Sequence, residues 1–548
     1  MNGAELRFGR GFLSGPSGSA GAVVDESSQA EVVSKLRAAA GPPSPHGVSD
    51  TSGRGALPRF DRRAFLVAGV VFVLLMALAT RYGFDRDELY FFDAARHLQG
   101  GYVDQPVLVP LLARVTLTLF GVSLVGLRVW SALAAFATVL VGALIARELG
   151  GERRAQLLAA LGTATMPVLL AADHIGGPTA IDILAWALLA LVTLRVGRTG
   201  NPRWWLVGGL VLGMGLTNKH SVGSFGVAVA IGLLLSGGRR LVLNWWFLAC
   251  ALIAAAFTIP DLWWQAHNGW PTFAMTHELN RENGGAVNIV TWVVGQLLIA
   301  SIVLVPVWIV GLRHLWRSRR PEQRALVRAY ALLFLLFAIT TGAKVYYLAG
   351  SYVYLLAAGA VALDGWLAAK PRRRPLLLAA LAVSTLIALP IVLPVLPASS
   401  VRATYNLNQT AGESIGWSQL VASVHKVWSS LPLATRYHAE FFTANYGEAG
   451  AINELGRGLP IAVSGHNNEW WWGPGNPNAT TIVAVAPGPL DTTGYAGYLH
   501  TFCRHVRTVA TLRNPYRIHN QEWHGHIYLC TGLSKSWSKL WPSLRNYS

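Results

Sequence analysis

Long apolar runs recur along most of this chain, and they limit the folds that it can adopt. The runs are about 17 to 25 residues long and are separated by short polar breaks. Only 13% of the 548 residues are charged and 53% are hydrophobic, whereas a soluble protein of this size carries about twice that charged fraction. Because about 20 apolar residues in a helix cross a bilayer, the pattern predicts a polytopic α-helical membrane protein.

Basic residues between the apolar runs indicate how the chain is oriented. Arg59, Arg62 and Arg63 precede the first run, and later clusters alternate with the runs. Since Lys and Arg are retained on the cytoplasmic side, we predict a cytoplasmic N-terminus and a transmembrane domain over residues 63–396 with about eleven spans in the cell membrane. The predicted spans are Ala64–Thr80, Leu127–Ala146, Leu157–Ala171, Ile181–Val196, Trp204–Leu216, Val222–Leu235, Trp245–Ile259, Ile289–Leu312, Val327–Thr341, Val345–Leu367 and Leu376–Leu396.

The two ends of the chain differ in composition from the apolar part. Residues 1–62 are rich in Gly, Ser, Pro and Ala and lack the apolar segment of a signal peptide, so we predict a disordered cytoplasmic tail. Residues 397–548 are polar and aromatic, with strand-like runs at Thr481–Ala486 and Val506–Leu512. An odd number of spans places this region outside the cell as a small α/β domain. There Cys503 and Cys530 either form a disulfide or remain two reduced thiols.

The segment that follows the first span is unusually acidic. Asp85, Asp87, Glu88 and Asp93 lie close together next to a membrane segment, and acids in that position are expensive to desolvate and often functional. The alternative is a solvated loop that caps a helix. Residues 106–120 follow, are short for a span and are predicted to form a helix along the interface.

Unusual polar residues fall at the same end of their spans, which is the outer end in the predicted orientation. These residues are Asp87, Glu88, Asp173, His174, Asp182, Lys219, His220, His267, Glu278 and Lys344. The two lysines oppose the positive-inside bias, so they indicate an anionic partner such as phosphate. Lysines at span ends also extend to the interface without a ligand, and single histidines are common there.

Carboxylates and phosphate-binding cations at one membrane face favour transfer of a group from a lipid phosphate. A carboxylate near an acceptor hydroxyl can act as a general base, and cations stabilise a phosphate that leaves the anomeric carbon of a sugar. The formal net charge of +18 does not indicate a nucleic-acid partner, because the basic residues are clustered between spans.

Six motifs follow one another between Asp85 and Asp364. They are FDRDELYFFDAARHLQGGYVDQP, LFGVSLVGLRVWSAL, GGPTAIDILAW, GLTNKHSVG, IPDLWWQAHNGWPTF and GAKVYYLAGSYVYLLAAGAVAL. In order and spacing they resemble the bacterial membrane glycosyltransferases of the GT-C class, in the branch of protein mannosyltransferases and aminoarabinose transferases (glycosyltransferase family 39 type). The resemblance implies a polyprenyl-phosphate sugar as donor, inversion at the anomeric carbon, and action at the lipid bilayer.

The resemblance also implies roles for particular residues. Asp87 in the first outer loop is expected to be catalytic, with Glu88 beside it, and Asp182 in the T-x-x-D setting of Thr179 is a second candidate acid. Lys344 precedes Tyr346 and Tyr347 and is expected near the donor phosphate. Our candidates for the donor-phosphate site are Lys344, Lys219, Arg128 and Tyr347. Our candidates for the substrate-binding loops are His174, His220, His267 and Trp270, the last two within a predicted outer loop at Pro260–Asn288.

Two other functions and the acceptor stay open at this point. A transporter or flippase usually has internal repeats with broken helices, and we find no such repeat. A non-catalytic scaffold that binds glycan would leave Asp87 and Lys344 unexplained. The acceptor is a glycan, a lipid or a protein, because NYGEAGAI and SGHNNEWWWGPG match none of the better-known members of this branch. Asp87, Glu88 and His267 can hold a divalent metal ion, but their spacing does not require one, so we assign no metal site.

Overall fold

The structure is a computed structural model in which residues 57–282, 286–340, 344–488 and 494–547 are described. Of the predicted disordered tail, residues 1–56 lie outside the described residues. Residues 57–62, which we predicted as the end of the tail, pack on the helical domain. Arg147 Nε donates to the carbonyl of Pro58 (2.7 Å), and the backbone N–H of Asp61 donates to Gln156 Oε1 (2.9 Å).

Helices make up most of the first 400 residues. In chain order the helices of seven residues or more in this part are α1 (Arg63–Leu78), α2 (Arg86–Arg96), α3 (Leu108–Phe120), α4 (Leu124–Glu148), α5 (Arg153–Ala164), α6 (Pro167–Asp173), α7 (Pro178–Thr199), α8 (Trp204–Leu216), α9 (Ser221–Leu235), α10 (Trp245–His267), α11 (Pro271–Glu282), α12 (Ala286–Ile299), α13 (Val305–Arg317), α14 (Pro321–Ile339), α15 (Ala349–Ala369) and α16 (Arg373–Val392). Shorter turns lie at Arg239–Val242, Ile302–Leu304, Val345–Leu348 and Ala398–Ser400.

Each predicted span overlaps a helix or a bent pair of helices, and Thr341 at the end of one predicted span lies outside the described residues. Among the described residues, five helices are long and apolar enough to cross a membrane, namely α4, α7, α10, α16 and α15 with the turn before it. The number rises to seven if each of two pairs that bend by 57° and 81° is one span. Helices α1, α3, α8 and α9 are apolar but shorter. The chain is therefore a multi-pass membrane protein, and the count of eleven crossings stays a prediction.

The predicted outer loop Pro260–Asn288 is largely helical, so that part of the prediction was wrong. Helix α10 continues through Pro260 to His267, and α11 occupies Pro271–Glu282. Proline disfavours a helix interior because it lacks an N–H and clashes with the preceding turn, yet Pro260 lies inside α10. In membrane helices that loss is tolerated, because other groups satisfy the carbonyl that is freed.

Small residues let the membrane helices approach each other closely. A Cβ atom on Gly311 of α13 would lie 1.9 Å from the carbonyl oxygen of Leu355, and one on Gly359 of α15 would lie 2.1 Å from that of Val307. Backbones in such contact gain van der Waals attraction, which drives helix association inside a bilayer. Glycine is therefore required at both positions of this crossing.

The C-terminal region contains a mixed five-stranded sheet with helices on both faces. Its strands are β1 (Ala439–Thr443), β2 (Ala462–Ser464), β3 (Thr481–Ala486), β4 (Cys503–Thr511) and β5 (His526–Leu533), in the order β2-β1-β3-β5-β4. Strand β1 is parallel to β2 and β3, whereas β5 is antiparallel to β3 and β4. The helices are α17 (Trp417–Ser430), α18 (Tyr446–Leu455) and α19 (Gly494–His500), with short turns at Val401–Thr404, Gln409–Glu413, Leu433–Arg436, Asn467–Trp472, Trp537–Leu540 and Trp541–Leu544.

The sheet explains the strand-like sequence patterns. Strands β1 and β3 are buried along their whole length. Strand β3 (TIVAVA) reads as an apolar run, whereas β1 (AEFFT) contains the buried Glu440. The predicted strand at Thr481–Ala486 is confirmed, and the one at Val506–Leu512 falls within β4 and the residue after it. Cys503 of β4 and Cys530 of β5 have Cα atoms 5.8 Å apart and are joined in a disulfide.

Candidate active site

A cavity of about 620 Å³ opens between the membrane helices and the C-terminal region. Helix α2, residues 168–179 and Lys344 line one part of it, and residues 408–414 with Tyr446 line another. Its ionisable and phenolic side chains are Arg81, Tyr82, Asp85, Arg86, Asp87, His174, Lys344, Tyr346, Glu413 and Tyr446. Apolar residues such as Val168, Ala171 and Val392 complete the wall. The cavity thus brings carboxylates, cations and phenol groups together beside an apolar wall.

Asp87 lies at the N-terminal end of α2, where backbone N–H groups and the helix dipole favour a negative charge. The cap is reciprocal: the Asp85 side chain accepts from the Asp87 N–H (3.0 Å), and Glu88 Oε2 accepts from the Asp85 N–H (2.8 Å). This is the capping box that the D-x-x-E spacing allows. Tyr446 donates its hydroxyl to Asp87 Oδ1 at 2.9 Å.

The environment of Asp87 changes its acidity. The side chain is exposed to the cavity but has protein packed densely around it, and this burial raises its pKa above the usual range. The hydrogen bond from Tyr446 and the charge of Arg86 lower the pKa, whereas the charge of Glu88 raises it. A raised pKa makes the Asp87 carboxylate a better proton acceptor than an ordinary aspartate.

Glu88 and Arg128 form an ion pair away from the cavity surface. Arg128 Nε and Nη2 each donate to one carboxylate oxygen of Glu88 at 2.7 Å, and the two residues are 2% and 0% exposed. Glu88 also accepts from the Gly176 N–H (2.7 Å), and Arg128 donates to the carbonyls of Ala79 (2.8 Å) and Gly83 (2.9 Å). Neither side chain lines the cavity, so this geometry favours a structural role for both. Their predicted catalytic and phosphate-binding roles stay predictions.

Lys344 and Tyr346 line the cavity, whereas Lys219 does not line it and contacts the rings of Tyr346 and Tyr347. The Lys219 ammonium is 4.9 Å from the ring centroid of Tyr346 and 5.2 Å from that of Tyr347, which are cation–π distances. Asp182 is buried, accepts from Ser221 Oγ at 2.6 Å and is attracted by Lys219. Lys219, Tyr347 and Asp182 therefore flank the cavity without lining it.

The four candidates for the substrate-binding loops separate into two groups. His174 lines the cavity, with Nε2 at 3.3 Å from Arg128 Nη1. The other three do not line it. His220 Nε2 is 2.9 Å from Asp261 Oδ2, the His267 ring lies 4.1 Å from that of Trp263, and the Trp270 ring lies 5.6 Å from that of Phe273. In the described residues, no group of three or more His, Cys, Asp or Glu side chains is arranged to hold a metal ion.

Sequence reasoning missed the residues that the C-terminal region contributes. Residues 408–414 and Tyr446 line the cavity, and Glu413 accepts from Arg86 Nη2 at 3.3 Å. One signal was available: Asn445 and Glu448 have the spacing of a capping box and do form one at the start of α18. That signal predicts a helix, but not its contact with α2.

Comparisons with known proteins agree with this architecture. The family described as dolichyl-phosphate-mannose-protein mannosyltransferase matches residues 104–264. A curated relative, the lipopolysaccharide core galacturonosyltransferase RgtB of Rhizobium johnstonii, is 24% identical over 243 residues, which are 44% of this chain and 49% of that protein. The match thus spans about half the length of that relative.

Solved structures share the fold over most of the chain. ArnT from Cupriavidus metallidurans bound to undecaprenyl phosphate superimposes with a TM-score of 0.59 at 14% identity, covering 85% of this chain and 97% of that one. The apo state of the same protein gives a TM-score of 0.60 at 15% identity, with the same coverage. The fold is therefore of the GT-C type.

Proposed function

We propose that this protein transfers a sugar from a polyprenyl-phosphate-linked donor to an acceptor at the outer face of the cell membrane. The observation that carries the proposal is the cavity in which Asp87 shares a wall with Arg81, Lys344 and Tyr346. A carboxylate and cations in one cleft provide both a proton acceptor and a phosphate site. The ArnT structure with undecaprenyl phosphate, which matches over 97% of its length, supports the donor class.

The reaction that fits these groups is a single displacement. The oxygen of an acceptor hydroxyl attacks the anomeric carbon while Asp87 takes the proton. The bond between that carbon and the phosphate oxygen breaks, and polyprenyl phosphate leaves with the electron pair. Attack from the face opposite the leaving group inverts the anomeric carbon.

Cations at the cavity wall would stabilise the departing phosphate. Lys344 and Arg81 supply charge where it develops, and the Tyr346 hydroxyl supplies a hydrogen bond. The Lys219 ammonium beneath the two tyrosine rings adds positive potential and holds Tyr346 in place. Asp182, which is bonded to Ser221 and attracted by Lys219, is proposed to fix this arrangement rather than to take the proton.

Lys344→Ala is expected to weaken undecaprenyl phosphate binding by roughly tenfold or more, because a charge-assisted contact to the phosphate is lost. Binding is measured by native mass spectrometry of the purified protein, with Lys370→Ala as the control. Lys370 is exposed at the other end of α15 from Lys344 and does not line the cavity. Equal affinity of the two variants would reduce Lys344 to an interfacial anchor.

The proposed orientation places the N-terminus inside and the C-terminal region outside. Ser536→Cys, exposed in the C-terminal region, is expected to react with an impermeant thiol reagent in intact cells. Asn201→Cys, exposed between α7 and α8, is expected to react only after the cells are opened. Of the native cysteines, Cys250 is buried and the other two are joined, so background labelling is low. The reverse pattern would invert the orientation and remove the basis for an outer site.

The reaction itself is tested by comparing cells with and without the gene. Mass spectrometry of envelope glycans, lipids and proteins is expected to reveal one sugar that is lost in the deletion strain and restored by the wild-type gene. Accumulation of lipid-linked sugar at the inner face, with no product that loses a sugar, would instead favour a flippase.

A further inference from the structure

We propose that the C-terminal domain completes the active site by placing Tyr446 as a positioning residue on Asp87. The inference deepens the proposed function, on which it rests, and concerns a residue 359 positions further along the chain. The phenol hydroxyl donates to Asp87 Oδ1 at 2.9 Å, and both side chains line the same cavity. In the described part of the chain, Oδ2 of Asp87 has no hydrogen-bond partner and can receive the acceptor's proton.

The tyrosine ring is held on two sides. Its centroid lies 4.7 Å from that of Tyr90 on α2 and 4.8 Å from that of His466 in the segment after β2. Tyr90 has its own acceptor, because its hydroxyl donates to Asp104 Oδ1 at 2.9 Å. Two phenol–carboxylate pairs therefore lie side by side, and the Tyr446 hydroxyl is available for Asp87 alone.

The packing of α18 against α2 explains why Tyr446 reaches this position. A Cβ atom on Gly447 would lie 2.3 Å from Arg86 Cγ, and one on Gly450 would lie 2.9 Å from the backbone of Leu89. The G-x-x-G pair of the NYGEAGAI motif thus lets the two helices touch. Arg86 strengthens the contact through Glu522 (2.9 Å) and Glu413 (3.3 Å), both from the C-terminal region.

This arrangement gives the C-terminal domain a part in the chemistry. A hydrogen bond to the ionised carboxylate favours the charged form, so Tyr446 keeps Asp87 ready to accept a proton despite its burial. The bond also fixes the rotamer, leaving Oδ2 toward the cavity. Other charged or titratable groups around Asp87 are Asp85, Arg86 and Glu88 from its own helix, Asp104, Tyr346 from the turn before α15, and the cavity residues Arg81, His174, Lys344 and Glu413.

The test is a titration of the Asp87 carboxyl by infrared spectroscopy, without substrate. The carbonyl band of protonated Asp87 is identified by subtracting the spectrum of Asp87→Asn. Tyr446→Phe keeps the ring but removes the donor, so the midpoint is expected to rise by about one pH unit. Tyr90→Phe removes the neighbouring hydroxyl and is the matched control, with a midpoint near that of the wild type.

Replacement of Tyr446 by 3-fluorotyrosine provides a second variant, in which the titration midpoint of Asp87 is expected to shift in the opposite direction. The fluorinated phenol is more acidic and a stronger donor, so the midpoint is expected to fall. An unchanged midpoint in both folded variants would overturn the inference. A rise of the midpoint in Tyr446→Phe and a fall with 3-fluorotyrosine, together with no sugar transfer by the wild type from any donor, would support the positioning role and reject the proposed function instead.

Discussion

Replacing Asp87 with asparagine is expected to lower sugar transfer by roughly 10²- to 10⁴-fold, the range that a general base contributes. Asparagine keeps the shape and can still accept from Tyr446, but it cannot take a proton. Binding of undecaprenyl phosphate is expected to change little, because the cations at the cavity wall are retained. Transfer and binding are measured on the same purified preparations.

The assignment of Asp87 as the general base also predicts how sugar transfer depends on pH. A base must be ionised, so activity falls as the pH drops through the pKa of Asp87. Burial raises that pKa, so the loss is expected at a higher pH than for an ordinary aspartate, whose pKa is about 3.9. This acidic limb should be absent from the residual activity of Asp87→Asn.

Asp182→Asn provides the comparison that can reject the assignment. Asp182 is buried and bonded to Ser221, outside the cavity wall. We expect a smaller loss of transfer in this variant than in Asp87→Asn. Near-normal turnover in Asp87→Asn, with a large loss in Asp182→Asn, would transfer the role of base to Asp182.

The sequence predicted the parts of the molecule that depend on local pattern. Apolar runs located the membrane helices because burial in lipid demands continuous hydrophobicity. The D-x-x-E spacing at Asp85 also marks a helix start, which our sequence analysis did not use, and the helix begins at Arg86. Continuous apolar residues likewise marked strand β3. The predicted span ended at Ile259, whereas α10 continues through Pro260 to His267.

Contacts between distant residues were beyond such reasoning. Asp87 and Tyr446 meet only because α2 and α18 pack through Gly447 and Gly450, and no local pattern encodes that crossing. The same limit applies to Arg128. In the sequence it is a cation at the outer end of a span, which fits a phosphate site equally well. Only the structure shows that Glu88 already occupies two of its donors.

Glu88→Gln is expected to destabilise the folded protein by about 3–5 kcal/mol, because it leaves the Arg128 guanidinium buried without a counter-charge. The same loss is expected for Arg128→Met, because it leaves the Glu88 carboxylate buried without a counter-charge. Both are measured as thermal unfolding in detergent micelles. Arg402→Met is the control, since this exposed arginine is expected to change stability by no more than about 0.5 kcal/mol.

The double variant Glu88→Gln/Arg128→Met separates a structural pair from a donor site. With both charges gone, no uncompensated ion is buried, so much of the lost stability is expected to return, and the two substitutions should be strongly non-additive. If the pair only holds α2 against α4, the double variant, with its stability recovered, binds undecaprenyl phosphate nearly as well as the wild type. If Arg128 contacts the donor phosphate directly, binding stays weak although stability recovers. That outcome would restore the role we first predicted for Arg128 and would require the ion pair to open during turnover.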